Sequence, residues 1–393
     1  MRVIGTRACG LRTPIIRESD DLVSVVCQSV KDAIEHEKVT INDGDIIGIT
    51  EAVVARSQGN YAALDQIADD VKARLGGGHI GVVFPILSRN RFAMLLKGIA
   101  RGAEKVTVLL SYPGDEVGNQ LISWDDVDEK KLNPYSDCLS ETEYRRLFGN
   151  EIKHRFTGID YVAYYKSLGD NIEIVLCADP KRILDYTDKV IAADIHTRFR
   201  TKRALTAAGA KKVTGIDELL TKSVNGSGYN EKYGLLGSNK ATEERVKLFP
   251  RDCDAFVQRM QKALKDLSGK NVEVLVYGDG GFKDPVGGIW ELADPVVAPA
   301  FSSGLKGTPN ELKLKYLADN NYADLSKEDA RKAIEKAIQE KAGVDQTGKM
   351  EAEGTTPRQL TDLLGSLCDL VSGSGDKGTP VVLIQGYFDN YAS

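Results

Sequence analysis

The segment DGDIIGITEAVVARSQGNYAALDQIADDVKARLGGGHIGVVF (Asp43–Phe84) decides the fold class. After the turn Asn42-Asp43-Gly44-Asp45, the runs Ile46–Thr50 and Ala52–Ala55 are continuously apolar, the pattern of strands buried on both faces. A helix is predicted over 61–75, stopped by Gly76-Gly77-Gly78, and a strand over 80–84. Upstream, Asp20 and Asp21 cap a helix that places Leu22, Val23, Val26, Val30, Ala33 and Ile34 at spacings of three and four and stops near Lys38. Downstream, a helix over 88–101 ends at Gly102 and a strand follows over 105–111. This alternation predicts an α/β (mixed α+β) fold with mixed or largely parallel sheets flanked by helices.

The middle of the chain is less regular. Residues 112–150 are polar and rich in Asp, Asn and Pro, which suits a long excursion from the sheet. Strands are predicted near 160–165, 172–178 and 189–193, with helices near 198–208 and 215–221. SVNGSGYNEKYG (Ser223–Gly234) offers little to bury and is expected to form a mobile loop. A helix over 252–267 leads into a strand over Val272–Tyr277. Ser326 and Asp329 form a capping box within a helical insertion over 308–345, and 345–356 reads as a polar linker. The chain closes with a helix over Thr361–Val371, the loop SGSGDKGT (Ser372–Thr379) and the strand PVVLIQ (Pro380–Gln385). Two domains are expected: 1–225, α/β with a long insertion, and 226–393, α/β with the helical insertion.

Composition narrows the function. The 393 residues are 42% apolar, enough for real cores, and 52 basic against 57 acidic residues give a net charge of -5. No global basic field draws nucleic acid or anionic lipid, so partners belong to local sites. The six cysteines form no C-x-x-C pair and read as reduced thiols. The amino terminus has no apolar leader-like stretch and no segment reaches the roughly 20 apolar residues of a membrane span, so a cytoplasmic protein is expected. No two of the four histidines stand at i, i+4, and a metal here would be a hard cation held by carboxylates.

Four segments carry candidate chemistry. In the closing loop, Gly373, Gly375 and Gly378 let backbone N–H groups approach an anion, with hydroxyls at Ser372, Ser374 and Thr379. These glycines satisfy G-x-G-x-x-G, but a dinucleotide fingerprint runs strand, glycines, helix, and the order here is reversed. A plain helix-to-strand connection is the other reading of the same residues. In VLVYGDGGFKDPVGG (Val274–Gly288) an apolar strand runs into Asp279, the metal-ligand candidate, with Asp284, Glu291 and Asp294 close behind. An Asx-turn is the competing use of Asp279. In GLLGSNKATEERVKLFPRDCDAF (Gly234–Phe256), Ser238 and Asn239 either contact a nucleotide or cap a short helix. In TEAVVARSQGNY (Thr50–Tyr61), Arg56 offers a fork for phosphate or carboxylate oxygens.

In this order and spacing the segments resemble the coenzyme F420-0:L-glutamate ligase family, the gamma-glutamyl ligases of deazaflavin coenzyme synthesis. Pro14, Ile15 and Asp20-Asp21-Leu22 look like its opening G-x-P-x-I…DDLA. Asp43–Gly59 is similar to its D-G-D-V…V-T-Q-K-I-V-S-K-A-E-G block, and GSNKATEERVKLFPRDCDA to a block carrying S-N, a spacer and L-P-x-D-x-D. VLVYGDGG is similar to V-x-I-S-D-T, and TDLLGSLCDLVSGSGDKGTPVVLIQG to the closing D-E-L…L-V-M-G…G-x-P-V-V-L-I-R-G. The resemblance covers both ends of the chain. Residues 85–225 have no clear counterpart and 308–345 are inserted, as in a divergent and enlarged member.

The resemblance implies a ligase that joins the amino group of glutamate, or another amino acid, to the carboxylate of a small-molecule acceptor through an acyl phosphate. It implies GTP (or ATP), Mg2+ or Mn2+, and a homodimer with the nucleotide site near the interface. Asp279 would then bind metal and act in catalysis with Arg56, which falls near the nucleotide phosphates. Ser238 and Asn239 would contact the nucleotide, and Thr13, Pro14 and Ile15 would approach its guanine. Gly373, Ser374, Gly375 and Gly378 would hold phosphates and a second metal.

Several positions depart from the family pattern. Leu236 replaces a metal-ligating Asp, Gly280 replaces the threonine after the metal aspartate, and Ser374 replaces an acidic or amide ligand. Ala55-Arg56 stands for Ser-Lys. Glu231, Asp252, Asp254, Asp284 and Glu291 are candidates to take over ligation. Two functions stay open: a nucleotide-dependent amide ligase acting on an F420 precursor, a folate-like pterin or another acceptor, and a nucleotide- or ligand-binding protein that kept the fold and lost the metal centre.

Overall fold

From the amino end, β1 (Arg7–Leu11), α1 (Leu22–Glu37), β2 (Ile46–Thr50), α2 (Glu51–Ser57) and the short β3 (Tyr61–Ala63) precede α3 (Leu64–Leu75). An alternating block follows, with β4 (His79–Val83), α4 (Phe92–Arg101), β5 (Lys105–Leu110), β6 (Leu139–Ser140), β7 (Ile172–Leu176), β8 (Lys189–Ala192) and β9 (Lys212–Gly215). Then come the paired strands β10 (Asn239–Lys240) and β11 (Arg245–Lys247), followed by β12 (Glu273–Tyr277), β13 (Ala300–Phe301) and β14 (Val381–Gln385). This computed structural model describes residues 3–392 apart from 282, 285, 287, 291–292, 342, 347, 353–357 and 373–375.

The fold is mixed α/β. In the five-stranded sheet, ordered β1-β14-β2-β12-β13, the central β2 is parallel to β12 and antiparallel to β14. Side chains of β2 alternate between two cores. Ile47 and Ile49 join Val274, Val276, Val381 and Leu383 against α1 and the helix Cys253–Ser268. Ile46 joins Leu275, Tyr277, Val382 and Ile384 against the helix Leu360–Ser372. Burial of both faces explains the unbroken apolar run. At Gly48 a Cβ would overlap Cys368 Sγ, so the helix lies close because no side chain intervenes. This sheet takes strands from both sides of residue 225.

A six-stranded sheet, β6-β7-β5-β4-β8-β9, is parallel except for β6. Its five parallel strands take the spatial order third-second-first-fourth-fifth of a doubly wound sheet, in which ligands favour the carboxyl ends of the strands. Ile67 of α3 and Leu96 and Ile99 of α4 share a core with Ile80, Val82 and Val108, while Val83, Leu109, Val190 and Leu205 close the opposite face. The third sheet is the antiparallel β10-β11-β3.

Some local expectations need correction. Ala52–Ala55 belongs to α2 rather than to a strand, because a four-residue apolar run cannot distinguish the two periods. Residues 161–166 are helical despite their aromatic, β-favouring content, since Asp160 caps the turn by accepting Ala163 N at 2.9 Å. Of 215–221, only Ile216–Glu218 forms a helical turn, and Lys212–Gly215 is the strand β9. Residues 112–150 leave the sheet apart from the two-residue β6, but their apolar side chains are not surface-lying: Tyr112, Val117, Leu121, Val127 and Tyr144 sit in the core. Ser223–Gly234 is fastened down: Gly228 N donates to Tyr61 O, Tyr229 N to Asn60 Oδ1, and Asn230 Nδ2 to Pro250 O. The helix Lys327–Glu340 starts at Ser326, whose Oγ accepts Asp329 N. All six cysteines are free thiols. Among the described residues no helix is long and apolar enough to cross a membrane.

Candidate functional site

The topology gathers chain ends at one edge of the five-stranded sheet. Parallel β2 and β12 deliver their carboxyl ends there, β14 its amino end and β1 its carboxyl end. Thr13–Ile16, Thr50–Val53, Arg56, Gly278, Asp279 and Gly378–Pro380 therefore line one cavity of about 820 Å3. The loop between β4 and α4 adds Ser88, Asn90 and Arg91 from the six-stranded sheet. Asn239, Asp294, Asp369 and Ser372 complete the lining. The described ends of the closing loop are tied to the rim, with Thr13 N donating to Gly378 O (3.2 Å), Thr50 N to Pro380 O (3.0 Å) and Thr379 Oγ1 to Ser372 O (2.6 Å).

The inner wall is a web of charges. Arg91 Nη1 lies 2.6 Å from Asp294 Oδ1 and Nη2 lies 2.6 Å from Asp279 Oδ2, while Asp294 Oδ2 accepts Asp279 N at 2.8 Å. Beside them Lys247 Nζ donates to both oxygens of Glu51, at 2.8 and 2.7 Å. Asp369 Oδ2 accepts Gly280 N at 3.1 Å. Burial, and then the adjacent Asp294, push the Asp279 carboxyl up to about 7 against the pull of Arg91. Burial also raises Asp369, and raises Glu51 despite Lys247. Burial opposes the Arg91 charge, but Asp294, Asp279 and Glu51 outweigh it and keep the guanidinium protonated.

Of the residues singled out in the sequence, Thr13, Pro14, Ile15, Arg56, Asn239, Asp279 and Gly378 meet in this cavity. Arg56 is exposed at its lip without an ion pair among the described residues, and Ile15 is exposed beside it. Ser238 is different: it is buried outside this lining, its hydroxyl donates to Leu235 O at 2.8 Å, and it caps no following helix, because Asn239–Lys240 is β10. Gly373, Ser374, Gly375 and Glu291 lie outside the described residues. Glu231, Asp252 and Asp254 line a separate cavity with Tyr229 and Arg251, and Asp284 accepts Val286 N in a local turn.

Sequence reasoning missed Arg91, Ser88, Asn90, Glu51, Lys247 and Asp369. The available signals were weak: the polar SRNR (Ser88–Arg91) before an apolar helix, and a lone Glu51 between two apolar runs.

A protein-bound metal does not fit this donor set. Arg91 already engages the facing oxygens of Asp279 and Asp294, and Leu236, at the position of a family ligand, is a core residue. A Cβ on Gly280 would lie 3.0 Å from Ser366 Cα, so the helix Leu360–Ser372 crowds the position of the family threonine. Among the described residues no group of three His, Cys, Asp or Glu side chains is placed to hold a metal ion. What the wall can do is orient oxyanions through Arg56 and Arg91 and hold an ammonium or a proton among its carboxylates.

No curated protein matches the chain significantly. The model of one family, described as F420-0:gamma-glutamyl ligase, matches residues 10–386, nearly the whole chain. That range encloses every residue that lines the cavity, and the chain belongs to the F420-0:gamma-glutamyl ligase family.

Proposed function

We propose that the cavity joins glutamate, or another amino acid, to a carboxylate-bearing small-molecule acceptor at the expense of GTP or ATP. One observation carries the reading: residues from five separate sequence segments, Thr13–Ile15, Arg56, Asn239, Asp279 and Gly378, line a single space of about 820 Å3 with one guanidinium group at its lip, Arg56, and another on its inner wall, Arg91. The nucleotide arrives as its Mg2+ or Mn2+ complex, with the metal held by its own phosphates as part of the substrate. A negative wall suits such a complex better than bare triphosphate.

A carboxylate does not react with an amine until one of its oxygens becomes a leaving group. An acceptor oxygen attacks the γ-phosphorus, the bond to the β-phosphate oxygen breaks, and the nucleoside diphosphate leaves. The amino nitrogen then attacks the acyl carbon, the C–O bond to phosphate breaks, and the nitrogen gives up a proton. Arg56, at the lip, orients phosphate oxygens. Arg91 stabilises charge on the transferring group. Asp279, pushed up to about 7, is matched to take the amine proton near neutrality. Pro14 and Ile15 offer an apolar lip to a planar base.

The test is a phosphate-release screen with GTP and ATP across candidate acceptors, F420 precursor and folate-like pterins among them, and amino acids. Release that requires acceptor and amino acid together supports the ligase, and its absence in every combination overturns it. Leu236 and the Arg91 pairings favour a second reading, a nucleotide- or ligand-binding protein of the same fold, which predicts nucleotide binding without turnover. A cytoplasmic homodimer with the nucleotide site near the interface belongs to the same proposal, and light scattering of the purified protein tests the dimer.

A further inference from the structure

We propose that Arg91 is the resident cation of this cavity, a guanidinium seated between Asp279 and Asp294 where a protein-bound divalent metal would need to sit. The chain then engages its anionic substrate without a metal of its own. The inference deepens the ligase reading and rests on it only for naming the substrate.

Three features point the same way. Arg91 enters from the loop between β4 and α4 and reaches across to two carboxylates of the other wall, at 2.6 Å from each. Asp294 is enclosed, and each of its oxygens already accepts a donor, Arg91 Nη1 on one and Asp279 N on the other, so a metal approaching it would compete with both. Leu236 and Gly280 have no donor atoms in their side chains, and the space at each is already used, by the apolar core in one case and by the helix Leu360–Ser372 in the other. A metal drawn to Asp279 would have to displace a buried guanidinium and leave it unpaired.

The substitution changes what the site can contribute. A guanidinium offers five fixed N–H donors, of which two atoms here already serve Asp279 and Asp294, and it presents its charge as a planar fork. It exchanges no ligands and generates no bound hydroxide. Its contribution is orientation and charge stabilisation of the transferred group.

Manganese titration of the intact chain without nucleotide, read by the loss of the free-ion electron paramagnetic resonance signal, decides the matter. The expected result is that the unmodified protein binds no Mn2+ below roughly millimolar concentration. Arg91→Ser, with folding checked by circular dichroism, should take up one Mn2+ per chain at least about tenfold more tightly, as expected when two carboxylates are freed. Arg91→Ser/Asp279→Asn should lose that uptake. The proposal is overturned if the unmodified protein binds one Mn2+ at micromolar concentration and Asp279→Asn abolishes it, or if folded Arg91→Ser binds no more Mn2+ than the parent. Should Arg91→Ser not fold, the unmodified protein and Asp279→Asn still decide the outcome. The titration contains neither nucleotide nor acceptor, so its failure is distinct from failure of the ligase reading, which the phosphate-release screen reports.

Discussion

Glu51 and Asp194 both follow the carboxyl end of a parallel strand, β2 in one sheet and β8 in the other, and both are buried. Glu51 meets the Lys247 ammonium through both oxygens. Asp194 meets only hydroxyls, Thr197 at 2.7 Å and Thr201 at 2.8 Å, and its Oδ1 has no partner among the described residues. Burial first, with Glu116 adding to it, pushes Asp194 up to about 6. The difference separates two uses of a buried acid. Burial raises both carboxyls, Glu51 against the pull of Lys247 and Asp194 against the hydrogen bonds of Thr197 and Thr201. Glu51 faces a cavity with a cation at its side, whereas Asp194 is packed among hydroxyls with one oxygen unpartnered among the described residues.

The largest expected effect comes from breaking the cation side of that contrast at the cavity. Arg91→Ala strands Asp294 and Asp279 without their partner, and should lower stability by about 4 kcal/mol and remove at least about 99% of any ligase turnover. Urea midpoints and phosphate release measure the two losses. Lys247→Met should cost about 3 kcal/mol because Glu51 is left alone, and the double variant Lys247→Met/Glu51→Leu should recover most of it, since an apolar pair removes the unpaired charge. If the single and double variants are equally unstable, the pair is not what holds this part of the wall.

Asp194 sharpens the other side. Its folded value stands above the ordinary carboxylate value near 4, so between about pH 4 and pH 6 the native protein keeps a proton that the unfolded chain releases. The stabilising contribution is complete below about pH 4 and is lost as pH rises through about 6. Asp194→Asn retains an oxygen for Thr197 and Thr201, and should flatten that loss by an amount on the order of 2 kcal/mol across pH 4 to 7. Denaturation midpoints at four pH values would show an unchanged slope if the carboxyl is ionised throughout. The smallest effect is expected at the exposed lip, where Arg56→Ala should weaken nucleotide binding about tenfold in a calorimetric titration while shifting stability by less than about 0.5 kcal/mol.

The sequence was most readable where structure is local or buried on both faces. Ile46–Thr50 announces β2 because each face needs an apolar side chain, and Ser326 with Asp329 announces a helix start because the cap is a contact between near neighbours. The cavity was half readable. Asp279, Asn239 and Arg56 stand beside motif letters, whereas Arg91 acquires its role from partners 188 and 203 positions away. Nothing local in SRNR records that distance, which depends on how the two sheets meet. Ser238 shows the converse, since its hydroxyl bonds a carbonyl three residues upstream and the residue lies outside the cavity lining.

The close seating of Cys368 on Gly48 has a consequence for chemical labelling. The thiol is fully buried and burial raises its pKa, so a haloacetamide meets neither thiolate nor room for an adduct while the helix Leu360–Ser372 rests on β2. Cys368 precedes Asp369 on the same helix, one residue from the cavity lining. Its alkylation rate is therefore a clock for how often that wall lifts from the sheet, readable by mass spectrometry in the unmodified chain.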